Sequence, residues 1–135
     1  MNTSVLNIKS HHLRIRVRLG KKMSINKKVF HALDDPKYIQ FWWSKSQKVI
    51  LIGEAPEKTS LSFVVNDNYY DKKTGFKIEK NKFIQTIMKL SEWRSDMIYT
   101  VTGEYISELN MVAFKLDNAV ELKVAFERQE KSDVI

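Results

Sequence analysis

The chain contains no cysteine, only four glycines and only two prolines among its 135 residues. Without cysteine it forms no disulfide, offers no thiolate nucleophile and cannot hold zinc through thiolates. This composition fits a reducing compartment. Four glycines are too few for elaborate cofactor loops, and no glycine-rich phosphate loop is present.

Segments directed at membranes are also missing. No apolar run approaches the roughly 20 residues needed to span a bilayer. Residues 1–12 lack the hydrophobic stretch of a secretory signal. We therefore expect a cytoplasmic protein that has no membrane partner.

Catalytic signatures are lacking as well, since neither G-x-S-x-G nor H-E-x-x-H occurs. His11, His12 and His31 have no cysteine or carboxylate partners at the spacing of metal ligands. Asp34 and Asp35 precede a proline, which indicates the end of a helix rather than a catalytic pair. We expect no enzymatic activity, no metal and no cofactor.

Acidic residues are scarce in the first part of the chain. Residues 1–53 carry 11 Lys and Arg against two acids, a net charge of +9, while residues 54–135 carry 12 against 14, a net charge of −2, which together give +7. This asymmetry favours a polyanionic partner such as nucleic acid. The alternative is an ordinary lysine-rich, solvated surface.

The clearest pattern lies in residues 13–19, where apolar residues alternate with Arg14, Arg16 and Arg18. A period of two predicts a strand with all three arginines on one face. The planar fork of arginine grips phosphate or the guanine edge, so this face predicts anion binding. The alternative is an edge strand that is charged to prevent aggregation.

The rest of the chain predicts short strands and two helices, the first with Asn26 as its N-cap. The predicted strands are residues 23–25, 38–43, 49–52, 61–65, 76–78, 97–106 and 111–116. The predicted helices are residues 27–33 and about 79–90. Residues 117–126 fit either a strand or a helix.

An internal repeat is indicated by a shift of 53 residues, after which the order strand, helix, strand, strand recurs. The aligned residues are Met23 with Phe76, Ile25 with Ile78, Lys27 with Lys80, and Phe30 with Phe83. We predict a β-rich α+β fold, a small barrel built from two such repeats with pseudo-twofold symmetry. A single domain spans 1–135, with a flexible arm (1–12), repeat one (13–53), a connector (54–73), repeat two (74–116) and a C-terminal segment (117–135).

Trp42 and Trp43 are adjacent on a predicted strand and therefore point to opposite faces. One can belong to the core. The other is either covered by the connector or forms an exposed surface for stacking or contact.

The run from Leu19 to Leu33, Leu-Gly-Lys-Lys-Met-Ser-Ile-Asn-Lys-Lys-Val-Phe-His-Ala-Leu, resembles the core of AbrB-type domains. This family, which includes MazE and MraZ regulators, forms swapped-hairpin barrels, and MraZ carries two copies in one chain. Asn26 and Asp34 stand where the family usually has proline and glycine. The resemblance implies DNA contacts by the first strand and the following turn, and hence by Arg14, Arg16, Arg18, Lys21 and Lys22.

These observations predict a DNA-binding transcription regulator that is a monomer or a homodimer. Two alternatives remain. One is a small interaction or inhibitor protein, encoded by a phage or mobile element, that acts on a host nucleic-acid or defence machine and so has a host protein as its partner. The other is a module that binds a nucleotide with the arginines and stacks its base on a tryptophan. The candidate nucleic-acid-binding residues are Arg14, Arg16, Arg18, Lys21, Lys22, Lys27 and Lys28. The candidate stacking residues are Trp42 and Trp43.

Overall fold

The computed structural model describes residues 13–65, 76–79 and 82–123. The predicted arm 1–12, the end of the connector with the start of repeat two, and the tail beyond residue 123 lie outside the described residues.

Short strands make up most of the described chain. The strands are β1 (Arg14–Arg18), β2 (Lys22–Ile25), β3 (Tyr38–Ser44), β4 (Val49–Glu54), β5 (Phe63–Val64), β6 (Phe76–Glu79), β7 (Met97–Ile106), β8 (Met111–Lys115) and β9 (Val120–Lys123). The helices are α1 (Lys27–Ala32), α2 (Lys82–Ser91) and a 3-10 turn (Leu116–Asn118). Neither α-helix of this described part has the length and apolar character needed to cross a membrane.

The strands form one curled antiparallel sheet in the order β5-β3-β4-β8-β7-β1-β2-β6, and β9 adds to β7. The sheet is a half-barrel with few helices, which confirms the strand-rich, barrel-like part of the prediction. Its concave side holds the core, where β1 contributes Ile15 and Val17 and both helices add apolar side chains.

Helix α2 shows why these segments become helical. Its buried residues Phe83, Ile84, Ile87 and Met88 recur with the 3.6-residue period of one helix face, while Lys82, Gln85 and Lys89 are exposed. Helix α1 buries Val29 and Phe30 in the same core. Helices this short are marginally stable on their own, so both depend mainly on packing against the sheet for their stability.

Strand β7 joins the two parts of the sheet. Its first residues pair with β1 and β9, whereas the segment from Gly103 onward pairs with β8. A Cβ atom on Gly103 would lie 2.5 Å from Cε1 of Phe114, a ring that is fully buried. Glycine at this position therefore lets Phe114 fill the core where the strand changes partners.

The two predicted repeats are unequal in the structure. Strand β3 has seven residues and β7 has ten, and α1 has six residues against ten in α2. Strand β9 pairs with the first residues of β7 at four positions, whereas β5, which occupies the corresponding place beside β3, pairs at only two. The pseudo-twofold symmetry is therefore not established by the fold.

Two other predictions change in detail. The strand predicted at 61–65 is only Phe63–Val64, because the preceding residues form a turn. The ambiguous segment after residue 116 is the 3-10 turn followed by β9.

Tyr99 of β7 is buried at one end of the core and stacks on Trp93, with 4.4 Å between ring centroids and 4° between planes. The backbone N–H of Arg94 donates to the Tyr99 hydroxyl over 2.8 Å. Burial raises the pKa of the Tyr99 phenol above its usual value, and the nearby Glu121 carboxylate acts in the same direction, while the Arg94 hydrogen bond opposes them.

We predict that Gly103→Ala lowers the free energy of unfolding by about 1–3 kcal/mol, because the added methyl group overlaps Phe114 and overpacks the core. Urea denaturation measures the change. Thr102→Ala, on the exposed side of the same strand, is the control and should shift stability by no more than about 0.5 kcal/mol. Equal effects of the two substitutions would show that Phe114 does not need this space.

We predict that Tyr99→Phe costs about 1 kcal/mol at neutral pH, because the Arg94 N–H loses its acceptor. A raised pKa in the folded state means that the unfolded chain ionises Tyr99 first, so the wild type loses stability as the pH rises beyond about 10. Tyr99→Phe should lose less stability than the wild type between about pH 8 and about pH 11. Urea titrations at about pH 8 and about pH 11 measure the loss. If the wild type and Tyr99→Phe lose the same free energy of unfolding between these pH values, the prediction is wrong.

Candidate nucleic-acid interface

Strand β1 lies inside the sheet and is not an edge. It pairs with β2 on one side, where Ile15 faces Ile25, and with β7 on the other, where Ile15 faces Val101. Because both edges of β1 are hydrogen-bonded, its arginines do not serve to protect an open strand edge. The charged-edge interpretation of the arginines is wrong.

The three arginines of β1 form a row on the convex side of the sheet. Arg14, Arg16 and Arg18 are exposed, while Ile15 and Val17 between them are fully buried. Within the ranges that the structure describes, no carboxylate lies within ion-pair distance of these guanidinium groups. We call Arg14, Arg16 and Arg18 the arginine row.

Small polar residues flank the arginine row across the neighbouring strands. Thr100 and Thr102 of β7 lie opposite Arg16 and Arg14, and Ser24 of β2 lies opposite Arg16 on the other side. The Nε atom of Arg16 donates to the Thr100 hydroxyl over 3.3 Å. This contact uses only the Nε donor of Arg16, so the two terminal nitrogens can still donate hydrogen bonds to a ligand.

Lys77 joins this face although the sequence analysis did not select it. It is exposed on β6, and its Cα pairs with Ser24, which in turn pairs with Arg16. The alternation Phe76-Lys77-Ile78, with both apolar neighbours buried, is the signal that identifies its outward position. Only the strand order brings it close to the arginine row.

Lys21 and Lys22 lie at the Arg18 end of the row. Leu19 and Gly20 both have positive φ values, 55° and 64°, and the N–H of Lys21 donates to the carbonyl of Arg18 over 3.0 Å. These are the features of a type I′ hairpin turn, which places Lys21 at its exposed end. Lys22 is also exposed and lies opposite Glu79 of β6 in the register.

Lys27 and Lys28 lie near the other end of the row, at the start of α1. The N–H of Asn26 donates to the carbonyl of Arg14, and the N–H of Arg14 donates to Oδ1 of Asn26, both over 3.1 Å. Asn26 stands at the N-cap position as predicted, but its side chain makes no capping hydrogen bond to α1. Lys28 is exposed and Lys27 is half-buried.

The two tryptophans are placed far from the arginine row. Strand β3 is separated from β1 by β4, β8 and β7, which corresponds to about 19 Å along the sheet. Trp42 is half-buried on the convex side, over the space that Gly53 leaves open, and Trp43 is 46% exposed on the opposite face. Neither tryptophan belongs to the buried core, where the sequence allowed one of them, and they form no common site with the arginines.

Among the described residues, no group of three or more His, Asp or Glu side chains is placed to hold a metal ion. His31 in the last turn of α1 contacts Asp35, which follows the helix, with 2.7 Å between Nδ1 of His31 and Oδ1 of Asp35. Asp34 and Asp35 have positive φ values of 62° and 51°, which end the helix as the sequence indicated.

Comparisons of the chain with protein-family models, with curated proteins and with solved structures gave no match. The resemblance to AbrB-type domains therefore stays a prediction.

Proposed function

We propose that this protein binds nucleic acid, specifically duplex DNA, through the arginine row, and that it acts as a regulator of the AbrB type. The observation that supports this most directly is the set of three exposed guanidinium groups, without carboxylate partners in the described chain, on a strand held at both edges.

The interior position of β1 suits a phosphate-binding surface. Hydrogen bonding on both sides fixes the strand, so the positions from which the side chains of Arg14, Arg16 and Arg18 project are set before a ligand arrives. A cationic surface that is already in place gains affinity by releasing the counterions that surround DNA. Lys77 and Lys21 extend the same charge to either side of the row.

One strand pairing, that of β2 with β6, supports an origin of the barrel from two related halves. Met23 faces Ile78 and Ile25 faces Phe76, so exchanging each residue with its partner in the proposed repeat leaves the β2–β6 pairing unchanged. Because this pairing can form within one chain, the DNA-binding form we propose is a monomer or a homodimer.

We predict that the combined variant Arg14→Ala, Arg16→Ala and Arg18→Ala binds duplex DNA more weakly and with a flatter salt dependence. Each phosphate contact contributes about −0.9 to the slope of log K against log salt, so losing three contacts should reduce the slope by about 2.7. Fluorescence anisotropy of a labelled duplex over a series of salt concentrations measures it. The unfolding midpoint should stay near that of the wild type, because all three side chains are exposed.

The matched control removes three exposed lysines elsewhere, Lys45→Ala, Lys58→Ala and Lys89→Ala, and therefore has the same net charge. If DNA responds only to the overall field, both variants should weaken equally, and the proposed site would be wrong. A wild-type protein that retains no duplex even at low salt would end the proposal altogether.

A further inference from the structure

A groove of about 620 Å³ lies beside β3, at the opening of the half-barrel. Its floor is aromatic: the ring of Phe41 lies 4.1 Å from that of Phe83 and 5.3 Å from that of Phe63, centroid to centroid, and Trp43 lies 5.6 Å from Phe83. The volume is in the range of ordinary ligand sites, about 300–1,000 Å³. Neither the arginine row nor its proposed function involves this groove.

Strand β5 covers only the first part of the adjacent β3 edge. It pairs with β3 at Tyr38 and Ile39 and at no later residue. The chain before it turns away, because the N–H of Thr59 donates to the Ser62 hydroxyl over 2.8 Å and the N–H of Leu61 donates to the Thr59 hydroxyl over 3.2 Å. On this side, the rest of the β3 edge lies beside the groove without a neighbouring strand among the described residues.

The uncovered edge presents backbone hydrogen-bonding groups. The N–H of Val65 donates to the carbonyl of Lys37 over 2.8 Å, and the pattern along an antiparallel strand alternates, so Lys37, Ile39, Phe41 and Trp43 direct their backbone groups to this side. For Phe41 and Trp43 the described part of the chain offers no partner there. Two N–H donors and two carbonyl acceptors therefore line the groove.

This edge lacks the usual protection against pairing. Strand β3, with the sequence YIQFWWS, contains no charged residue and no proline. Two other described edge strands do carry charges, since Lys77 lies on β6 and Glu121 and Lys123 lie on β9, while the edge strand β5 is uncharged but only two residues long. Proteins normally place such charges on open edges to prevent strand addition. Their absence from β3 indicates an edge that is kept available for pairing.

The groove also has a charge preference. Lys82, exposed at the start of α2, is the charged residue among the described side chains that line it. Leu61, 69% exposed, and Trp43 offer apolar surface at its sides. A ligand with apolar side chains and a carboxylate would therefore be complementary to the groove.

We propose that this groove binds an extended peptide of a partner protein, which pairs with the backbone of Phe41 and Trp43 and places alternate apolar side chains against the aromatic floor and an acidic residue beside Lys82. Strand addition to an open edge is an established way to recognise a peptide. The groove is bounded by the 59–62 turn and by α2, and a second copy of β3 would bring its own turn and helix into the same space.

The first experiment selects peptides of about ten residues, a full strand length, from a random library displayed on phage against the full chain. We expect enriched peptides to alternate apolar and polar residues and to contain an aspartate or glutamate. Trp43→Ala should weaken their binding about tenfold, as expected for a buried aromatic contact. Leu109→Ala, an exposed residue in the turn between β7 and β8, should leave it unchanged.

Backbone pairing is tested directly by hydrogen exchange and by modified peptides. Saturating peptide should slow exchange of the Phe41 and Trp43 amides, while those of Gln40 and Trp42, which already face β4, should not change. N-methylation of alternate peptide amides should abolish binding for one alternate set and leave it nearly unchanged for the other.

Several outcomes overturn this inference. They are the enrichment of no peptide, equal effects of both methylated sets, and slowed exchange of the two amides by a single-stranded oligonucleotide instead of a peptide. If exchange of the Phe41 and Trp43 amides slows as the protein concentration rises without any peptide, and sedimentation shows a dimer, the edge pairs with a second copy of the chain. The result is independent of DNA binding, because Trp43→Ala leaves the arginine row in place.

Discussion

The pairing of β1 on both of its edges is the constraint on which the rest of the structure depends. A strand bonded to β2 and β7 has no free backbone, so it meets its surroundings only through its two faces. One face, with Ile15 and Val17 fully buried, closes the core. The other is left with side chains alone, and those side chains are arginines.

The same arrangement determines where the sheet remains open. β7 pairs with β1 and β9 through its first residues and with β8 from Gly103 onward, so this strand joins the β1 side of the sheet to the β8 side. Gly103, at the change of partners, leaves room for Phe114. At the opposite end of the strand order, β5 supplies only two residues to β3. The half-barrel is therefore closed around β1 and open beside β3, where α2 packs its Phe83 against Phe41.

The sequence predicted those features that depend on local periodicity. The alternation in 13–19 identified β1 and its two faces, and the 3.6-residue pattern identified α2, because each pattern repeats within one element. The hairpin of β3 and β4 was placed within two residues at each end. The left-handed conformation of Asp34 and Asp35 agrees with a helix that stops there.

Features that depend on which strands meet could not be predicted in this way. Whether β1 is an edge or an interior strand depends on β7, more than 80 residues away, and Lys77 joins the arginine row only through β2. The segment after residue 116 was ambiguous because β9 is exposed throughout, so no burial pattern marks it. The half-buried position of Trp42 could not be predicted, because Trp42 lies over the space left by Gly53 on the neighbouring strand β4.

Sheet position also explains why two surfaces of one small chain would recognise ligands by different physics. An interior strand such as β1 can offer only side chains, and cations on a convex face give an attraction that salt screens. An edge such as that of β3 offers backbone groups in a fixed ladder, whose pairing in a partly desolvated groove depends little on ionic strength. Charged residues on β3 would prevent strand addition at its edge, but they would also place charge in the apolar groove. The arginines of β1 have neither effect, because both edges of β1 are already paired and their side chains lie on the convex face.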